Sequence, residues 1–176
     1  MKRITIGLLA LAGVAALVAV SAAGGAATKK GKPSLSATPV FKLSLKPSQE
    51  VPRIKKLRAR AGGHVTFDLT RDTSGAITSG EVVFYFNYSF PDSVNITGLH
   101  IHQAAKGVNG PIVVDSGAGS FADTDGAGNV TTMVSGVSSA LLQGILDNPR
   151  NYYVNLHTSV NPGGALRDQM HNPKKG

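Results

Sequence analysis

The chain has 176 residues, 41% of them hydrophobic, so its length and composition predict one domain with a single core and tails. Its 21 Gly and 9 Pro favour a turn-rich, all-β chain over a helical bundle. Because the sequence contains no cysteine, it excludes disulfides, thiolate metal sites and cysteine nucleophiles. The formal net charge is +8, and much of it lies near the two ends and in one internal segment, "RIKKLRAR".

The N-terminus has the three parts of a secretory signal peptide. Lys2 and Arg3 form a charged start, Ile4 to Val20 is an apolar run without a charge, and small residues follow it. A membrane anchor is the alternative, since the run is near the minimum of about 17 residues for a spanning helix. In both cases the pattern predicts export, with the folded part secreted or held in the periplasm or cell envelope.

The composition along the chain predicts four regions. Residues 1–23 are expected to be the signal peptide or anchor, and residues 24–36, which are rich in small and polar residues, a flexible linker. Residues 37–172 are the expected folded domain, followed by a basic tail over 173–176.

The basic segment, which we define as Arg53 to Arg60, is the one place where cations cluster inside the expected domain. Such a run is typical of a solvated loop, and it is also suited to contact an acidic polysaccharide or anionic lipid. No aromatic residue interleaves it, so it offers no surface for stacking bases, and we expect no nucleic acid partner.

The expected domain has the two-residue period of β-strands from Phe41 onward. Apolar and polar residues alternate in "FKLSL", "HVTFDLT" and "EVVFYFNY", and further strands are expected near 110–115, 117–123, 128–134, 151–158 and 164–170. The stretches "RDTSGAIT" and "DTDGAGNV" have the glycines expected of hairpin connections. One helix is expected in "VSSALLQGILDNP", with Ser138 or Ser139 as its N-cap. The sequence therefore predicts an all-β, antiparallel sandwich or barrel with one short helix.

Two histidines stand one residue apart in "GLHIH", where Leu99 and Ile101 have the phase of core residues. His100 and His102 then share the outer face of their strand, about 6.5–7 Å apart. The same alternation puts His157 of "YYVNLHT" and Arg167 of "ALRDQM" on the outer faces of their strands. Alternation alone does not tell whether these strands are neighbours.

Two interpretations of these histidines stay open. They are surface side chains that bond loop carbonyls, or they form a metal site, because neutral imidazole binds Cu, Zn, Ni or Fe and an all-nitrogen set is compatible with Cu(II). His64 has no close partner in the sequence and His171 lies near the C-terminus, so both are expected to be bystanders.

Three stretches resemble the signatures of the CHRD domain, a module first described in chordin and widespread in exported bacterial proteins. They are "SQEVP", "GLHIHQAAKGVNGPIVV" and "YYVNLHTSVNPGGALRDQM", and the resemblance covers about residues 37–171. It implies a β-sandwich with no settled general activity. Two features depart from the family: Asp168 stands where Gly is common, and the basic segment is not typical. Chordin binds growth factors, but a fold hosts many functions, so that partner is not carried over.

The stretch "GLHIH" also resembles the copper-ligand strand of copper/zinc superoxide dismutases, which reads G-F-H-V-H. The stretch "HTSVNPGGALR" is similar to that family's late histidine, Gly-rich stretch and arginine. The resemblance implies a Greek-key-like barrel in which His100, His102 and His157 are copper ligands and Arg167 attracts superoxide as an anion guide. The zinc loop, the bridging histidine and the disulfide of that family are missing, so a full dismutase site is not implied.

The sequence leaves two functions open. The first, which the CHRD resemblance favours, is a non-enzymatic exported module that binds an extracellular protein, a polysaccharide or another envelope component. The second is a copper-binding protein with a three-histidine site, acting as a carrier or a rudimentary redox enzyme. A membrane is an expected partner only through an uncleaved N-terminal segment.

Overall fold

The computed structural model describes residues 38–175, and the expected signal peptide and linker (up to residue 36) lie outside the described residues. The described chain forms ten strands, one α-helix and two short 3-10 helices, Pro47–Gln49 and Pro149–Asn151. The strands are β1 Pro39–Leu45, β2 Arg60–Arg71, β3 Ile77–Ser89, β4 Val94–Gln103, β5 Ile112–Asp115, β6 Phe121–Asp123, β7 Ala127–Val134, β8 Tyr152–Thr158, β9 Leu166–Gln169 and β10 Lys174–Lys175. The helix is α1 Ser139–Asp147. This composition confirms the expected all-β class with one short helix.

Two antiparallel sheets make up the sandwich. The first has the strand order β10-β1-β2-β3-β7, and the second has the order β5-β4-β8-β9, with β6 also paired to β4. The apolar residues of the alternating patterns point inward and form one core, in which Phe41 and Phe84 of the first sheet belong to the same cluster as Leu99 and Leu156 of the second. Burial of this shared apolar face is the main force that holds the two sheets together.

The two sheets are joined at one edge, between β1 and β9. The backbone N–H of Lys46 donates to the Arg167 carbonyl at 3.0 Å, and the Arg167 N–H donates to the Lys46 carbonyl at 3.3 Å. The Asp168 carboxylate accepts a hydrogen bond from the Ser44 N–H at 2.7 Å. The residue that departs from the family pattern therefore packs at this junction and helps to close the sandwich.

The expected turns and helix are confirmed. Gly75 and Gly126 lie in the two expected hairpin connections with φ of 88° and 77°, a region that favours glycine. The Ser138 hydroxyl caps α1 by accepting from the Leu141 N–H at 3.2 Å. The helix packs against the first sheet at Gly80, where a Cβ atom would lie 2.8 Å from a methyl group of Leu142.

The outer face of the second sheet is buried, and the expectation that it faces solvent is wrong. The residues of this face that are buried are His102, Tyr153, Asn155, His157, Arg167 and Gln169. The β4–β5 loop (104–111) and the β8–β9 loop (159–165) lie over it, because polar side chains on the face hydrogen-bond to their backbone. The turn at 46–50 places the Glu50 side chain against the same face, beside Arg167 and Asn155. Alternation identifies the face of a strand but carries no information about the loops that cover it.

Two further features complete the fold. The pair Lys174–Lys175, expected to be a basic tail, forms β10 and pairs with Pro39 and Val40 of β1.

In the part of the chain that the structure describes, no helix combines the length and apolar character needed to cross a membrane.

Candidate metal centre

The three predicted histidines come together because β4 and β8 are neighbours. In the antiparallel register, Gly98 lies opposite His157, His100 opposite Asn155 and His102 opposite Tyr153. One ring nitrogen from each of His100, His102 and His157 lies within 4.8 Å of one from each of the others. We call this group the histidine triad. Within residues 38–175 it is the one group of three or more His, Cys, Asp or Glu side chains arranged to hold a metal ion.

Gly98 makes room for the triad. It faces His157 across the strand pair, and a Cβ atom at this position would lie 2.5 Å from Cε1 and 2.7 Å from Nε2 of His100. The His100 ring therefore lies over the glycine, where it approaches the His157 ring to a centroid distance of 4.8 Å. The glycine in "GLHIH" is thus part of the site, and its position two residues before His100, on the same face of the strand, is the signal that could have identified it.

Backbone carbonyls set the tautomers of two of the rings. The Nδ1 atom of His102 lies 3.0 Å from the Gly110 carbonyl oxygen, and the Nδ1 atom of His157 lies 2.9 Å from that of Pro162. A carbonyl oxygen only accepts, so each Nδ1 carries the proton and each neutral ring keeps its lone pair on Nε2. Those two Nε2 atoms face each other at 3.3 Å. Two lone pairs at this distance repel, so the arrangement requires a cation between them or a shared proton.

His100 supplies the third nitrogen. Its Nε2 atom lies 3.5 Å from a carboxylate oxygen of Asp115, and its Nδ1 atom is buried without a hydrogen-bond partner. A buried nitrogen without a partner is costly in a folded protein, and its lone pair is available as a ligand. His100 is also the triad member with the most access to solvent, since its side chain is 13% exposed.

The distances suit a first-row transition metal with small adjustments. Two metal–nitrogen bonds of about 2.05 Å joined by the observed 3.3 Å separation subtend roughly 107°, close to the tetrahedral angle. The three ligand nitrogens are at most 4.8 Å apart. Two nitrogens bound to one ion can be at most about 4.1 Å apart, so the widest pair has to close by less than about 1 Å. A small rotation of the His100 ring is therefore enough to bring all three nitrogens to one ion.

Burial disfavours the protonated form of two rings of the triad, His100 and His102. It lowers the pKa of His102 to about 4, against the opposing effect of the hydrogen bond to Gly110. Burial also lowers the pKa of His100, and the nearby His157 ring adds to that effect, while Asp115 opposes it. Both of these rings are therefore neutral at neutral pH, and His102 is a poor acceptor for a proton shared across the His102–His157 contact.

A stack of side chains supports His102. The Tyr153 ring lies parallel to the His102 ring, with a centroid distance of 4.8 Å and an interplanar angle of 9°. The Arg167 guanidinium carbon lies 3.4 Å from the Tyr153 centroid, a cation–π contact. The Tyr153 hydroxyl also accepts from the N–H of Gly110, whose carbonyl holds His102. Sequence reasoning missed Tyr153, although it has the same phase as His157.

Arg167 anchors a loop and is not open to solvent. It is 2% exposed, and its guanidinium donates to the Asn109 side chain at 3.0 Å and to the Val108 carbonyl at 2.9 Å. An anion guide has to present its charge to incoming anions, and this buried geometry does not do so. The contacts instead fix the β4–β5 loop, which carries Gly110 and therefore orients His102.

A buried carboxyl lies beside Arg167. Burial raises the pKa of Glu50 to about 7, although the Arg167 charge and a hydrogen bond from Asn155 act in the opposite direction. One Glu50 carboxyl oxygen and the Asn155 side-chain oxygen are both buried without a donor. Burial of a carboxyl oxygen without a donor disfavours the charged carboxylate, so the site favours the neutral acid.

The two remaining histidines lie apart from the triad. His64 is on β2 of the first sheet, where its ring stacks on Tyr85 at a centroid distance of 5.3 Å. His171 is exposed beyond the end of β9. Neither belongs to the group of nitrogens that could share an ion.

Fold and site together define a β-sandwich module with a loop-covered histidine triad on the outer face of one sheet. The family model of the CHRD domain matches residues 41–170, so the chain belongs to the CHRD domain family. No curated protein and no solved structure matches the chain.

Proposed function

We propose that this protein is an exported CHRD-domain module that holds one transition-metal ion, copper foremost, at His100, His102 and His157. The observation that carries the proposal is the 3.3 Å contact between two Nε2 atoms whose rings both donate Nδ1–H to carbonyl oxygens. A pair of facing lone pairs in a buried site needs a cation to be favourable. The unpartnered Nδ1 atom of His100 supports the same conclusion.

The donor set favours copper. All three candidate ligands are imidazole nitrogens, and the chain has no cysteine whose thiolate would favour softer metal ions. For such a set the affinity of divalent ions rises to a maximum at Cu²⁺ and is lower for Zn²⁺. The likeness of "GLHIH" to the copper-ligand strand of superoxide dismutases agrees with this choice, but it concerns the ligand strand alone.

A carrier or store of the metal is the version that the geometry supports best. Among the described residues, the histidine triad is the one group of side chains that could hold a metal ion, so a second metal site does not support dismutase chemistry. Arg167 is buried under the β4–β5 loop, so it does not support that chemistry as an anion guide. The roles of this chain's residues are to bind the ion, to orient the three rings and to exclude water with the covering loops.

Copper titration of the full chain tests the proposal. We expect calorimetry to give one ion per chain, and electron paramagnetic resonance to show nitrogen hyperfine structure. The double variant His102→Ala/His157→Ala should lose both signals. The matched control His64→Ala/His171→Ala removes the two other described histidines and should keep them. Equal, weak uptake by all three proteins would overturn the metal proposal and leave a non-enzymatic binding module.

Export is proposed from the sequence of the first 23 residues. The positive start, the apolar run and the small residues after it support secretion or retention in the periplasm or cell envelope. Mass spectrometry of the N-terminus of the exported chain tests this, because a cleaved signal gives a chain that begins at residue 23 or 24. A chain found only in the cytoplasm with Met1 in place would contradict it.

A further inference from the structure

The basic segment turns its charged side chains outward and its apolar side chains toward the core. Its cationic side chains, all exposed, are Arg53, Lys55, Lys56, Arg58 and Arg60. The apolar residues between them are half-buried, and Leu57 and Ala59 pack against the core. The segment therefore presents its charges outward while its apolar side chains anchor it to the sandwich.

Backbone and side-chain hydrogen bonds hold the start of this segment. The Ile54 N–H donates to the Pro47 carbonyl at 3.1 Å, and the Asn109 amide donates to the Val51 carbonyl at 2.7 Å. Among the described residues, no carboxylate lies within 4.0 Å of any of the five cations. The charges contribute no ion pair to the fold, so they are free to meet an external anion.

A groove adjoins the segment, and Leu57 forms part of its wall. It has a volume of about 560 Å³, within the range of roughly 300–1,000 Å³ that small-molecule sites occupy. The apolar part of its lining includes Phe90 and Pro91, and the polar part combines amide and hydroxyl groups with two carboxylates, those of Asp92 and Asp123. Val160, which is 85% exposed, also lines it. Amide, hydroxyl and carboxylate groups beside small apolar surfaces suit an uncharged part of a sugar ring, whose hydroxyls donate to the carboxylates and whose C–H groups face the apolar surface, while its anionic groups lie outside the groove.

We propose that the basic segment and this groove together bind an anionic polysaccharide. Its carboxylate or sulfate groups would lie along the cations, where arginine forms bidentate hydrogen bonds, and a sugar unit would occupy the groove. The alternatives fit less well. An anionic lipid surface would gain no apolar insertion, because the apolar residues of the segment face inward. A nucleic acid strand would find no aromatic side chain in the segment for stacking.

Calorimetric titration of the full chain with heparin at 0.15 M salt tests the charged half of the site. The variant Lys55→Gln/Lys56→Gln/Arg58→Gln should weaken heparin binding by about ten-fold or more, since each exposed charge contributes modestly. The matched control Lys42→Gln/Lys106→Gln/Arg150→Gln removes the same charge from exposed positions elsewhere and should change binding by less than about three-fold. Absence of heparin binding, or equal losses in the two variants, overturns the proposal.

A second variant tests the groove. Ser93 is exposed and lines it, so Ser93→Trp should fill the groove and weaken heparin binding while leaving binding of inorganic polyphosphate unchanged. Circular dichroism and thermal unfolding verify that each variant is folded. Unchanged heparin affinity in Ser93→Trp overturns the sugar assignment. Tighter binding to duplex DNA or to phosphatidylglycerol vesicles than to heparin overturns the polysaccharide assignment.

Discussion

The Nε2 atoms of His102 and His157 lie 3.3 Å apart, and the opposite nitrogen of each ring donates to a carbonyl of a different loop. The two remaining nitrogens therefore turn their lone pairs toward each other in a buried space, an arrangement that needs a cation or a shared proton. This relationship separates the site from a set of histidines that merely bond loop backbone. Those bonds exist, and they use the nitrogens that face away from the centre.

Removing the space over Gly98 should damage the site more than the fold. In Gly98→Ala the new methyl group would lie 2.5 Å from Cε1 of His100, so the ring has to leave its position next to His157. We expect copper affinity to fall by about ten-fold or more, as for other changes that misplace a ligand. Gly62→Ala on β2 is the control, because a methyl group added there would meet nothing within 4 Å. Calorimetry measures both, and equal affinities would contradict the role of Gly98.

Asp115 should orient His100 weakly. Its carboxylate lies 3.5 Å from Nε2 of His100, but its side chain is 66% exposed, so solvent screens the interaction. We expect Asp115→Asn to weaken copper binding by about two- to five-fold at low salt, with a smaller effect in 1 M salt. Asp92→Asn, a substitution on another loop, should change nothing. A salt-independent loss in Asp115→Asn would indicate that the change acts through the loop instead.

Arg167 should stabilise both the fold and the metal site. In Arg167→Lys the ammonium group cannot reproduce the forked hydrogen bonds to Asn109 and Val108 or the flat contact with Tyr153. We expect the free energy of unfolding to fall by about 2–3 kcal/mol and copper affinity by about ten-fold. Arg71→Lys, at a half-buried arginine that donates to the Gly75 carbonyl on the hairpin, should cost less than about 1 kcal/mol. Denaturant unfolding and calorimetry measure the two effects, and lost stability with unchanged copper affinity would restrict Arg167 to the fold.

Glu50 should make the protein less stable as the pH rises. Its pKa is about 7 in the folded state and 4.5 ordinarily, so the folded state binds the proton more tightly. The stabilisation is complete below pH 4.5 and is lost as the pH rises through about 7. Glu50→Gln keeps the neutral form at every pH, so at pH 8 it should be more stable than the wild type by about 1–3 kcal/mol.

The comparison at pH 4 isolates this effect. There both proteins carry a neutral side chain at residue 50, so their free energies of unfolding should nearly coincide. Denaturant unfolding at the two pH values measures the difference, and other titrating groups cancel because the two proteins share them. A Gln variant that is less stable at pH 8 than the wild type would contradict a neutral Glu50.

The sheet architecture was largely predictable because each strand carries its own alternation. Phe41, Leu43 and Leu45 point inward on β1, and Val82, Phe84 and Phe86 do so on β3, as their period-two pattern indicates. Glycine in the hairpins and the capping Ser138 are equally local signals. The strand β10 carried no such signal, because a two-residue pairing is too short to show a period.

The site was predictable only in part, because it depends on pairing and on loops. The phase of His100, His102 and His157 was correct, but the adjacency of β4 and β8 follows from tertiary structure. Arg167 had the expected phase and the wrong environment, since the β4–β5 loop buries it. The carbonyls of Gly110 and Pro162 had no sequence signal, because every residue has a carbonyl group.

The strands carry the three histidines and the loops carry the carbonyls that orient two of them, which affects how such a site can change. The ligand nitrogens belong to hydrogen-bonded strands, whereas the acceptors that set the basicity of two of them belong to connections on the surface. Insertions and deletions accumulate in connections and rarely within strands. If the triad holds a metal as proposed, its affinity should respond to changes in loop length around Gly110 or Pro162 that replace none of the three histidines.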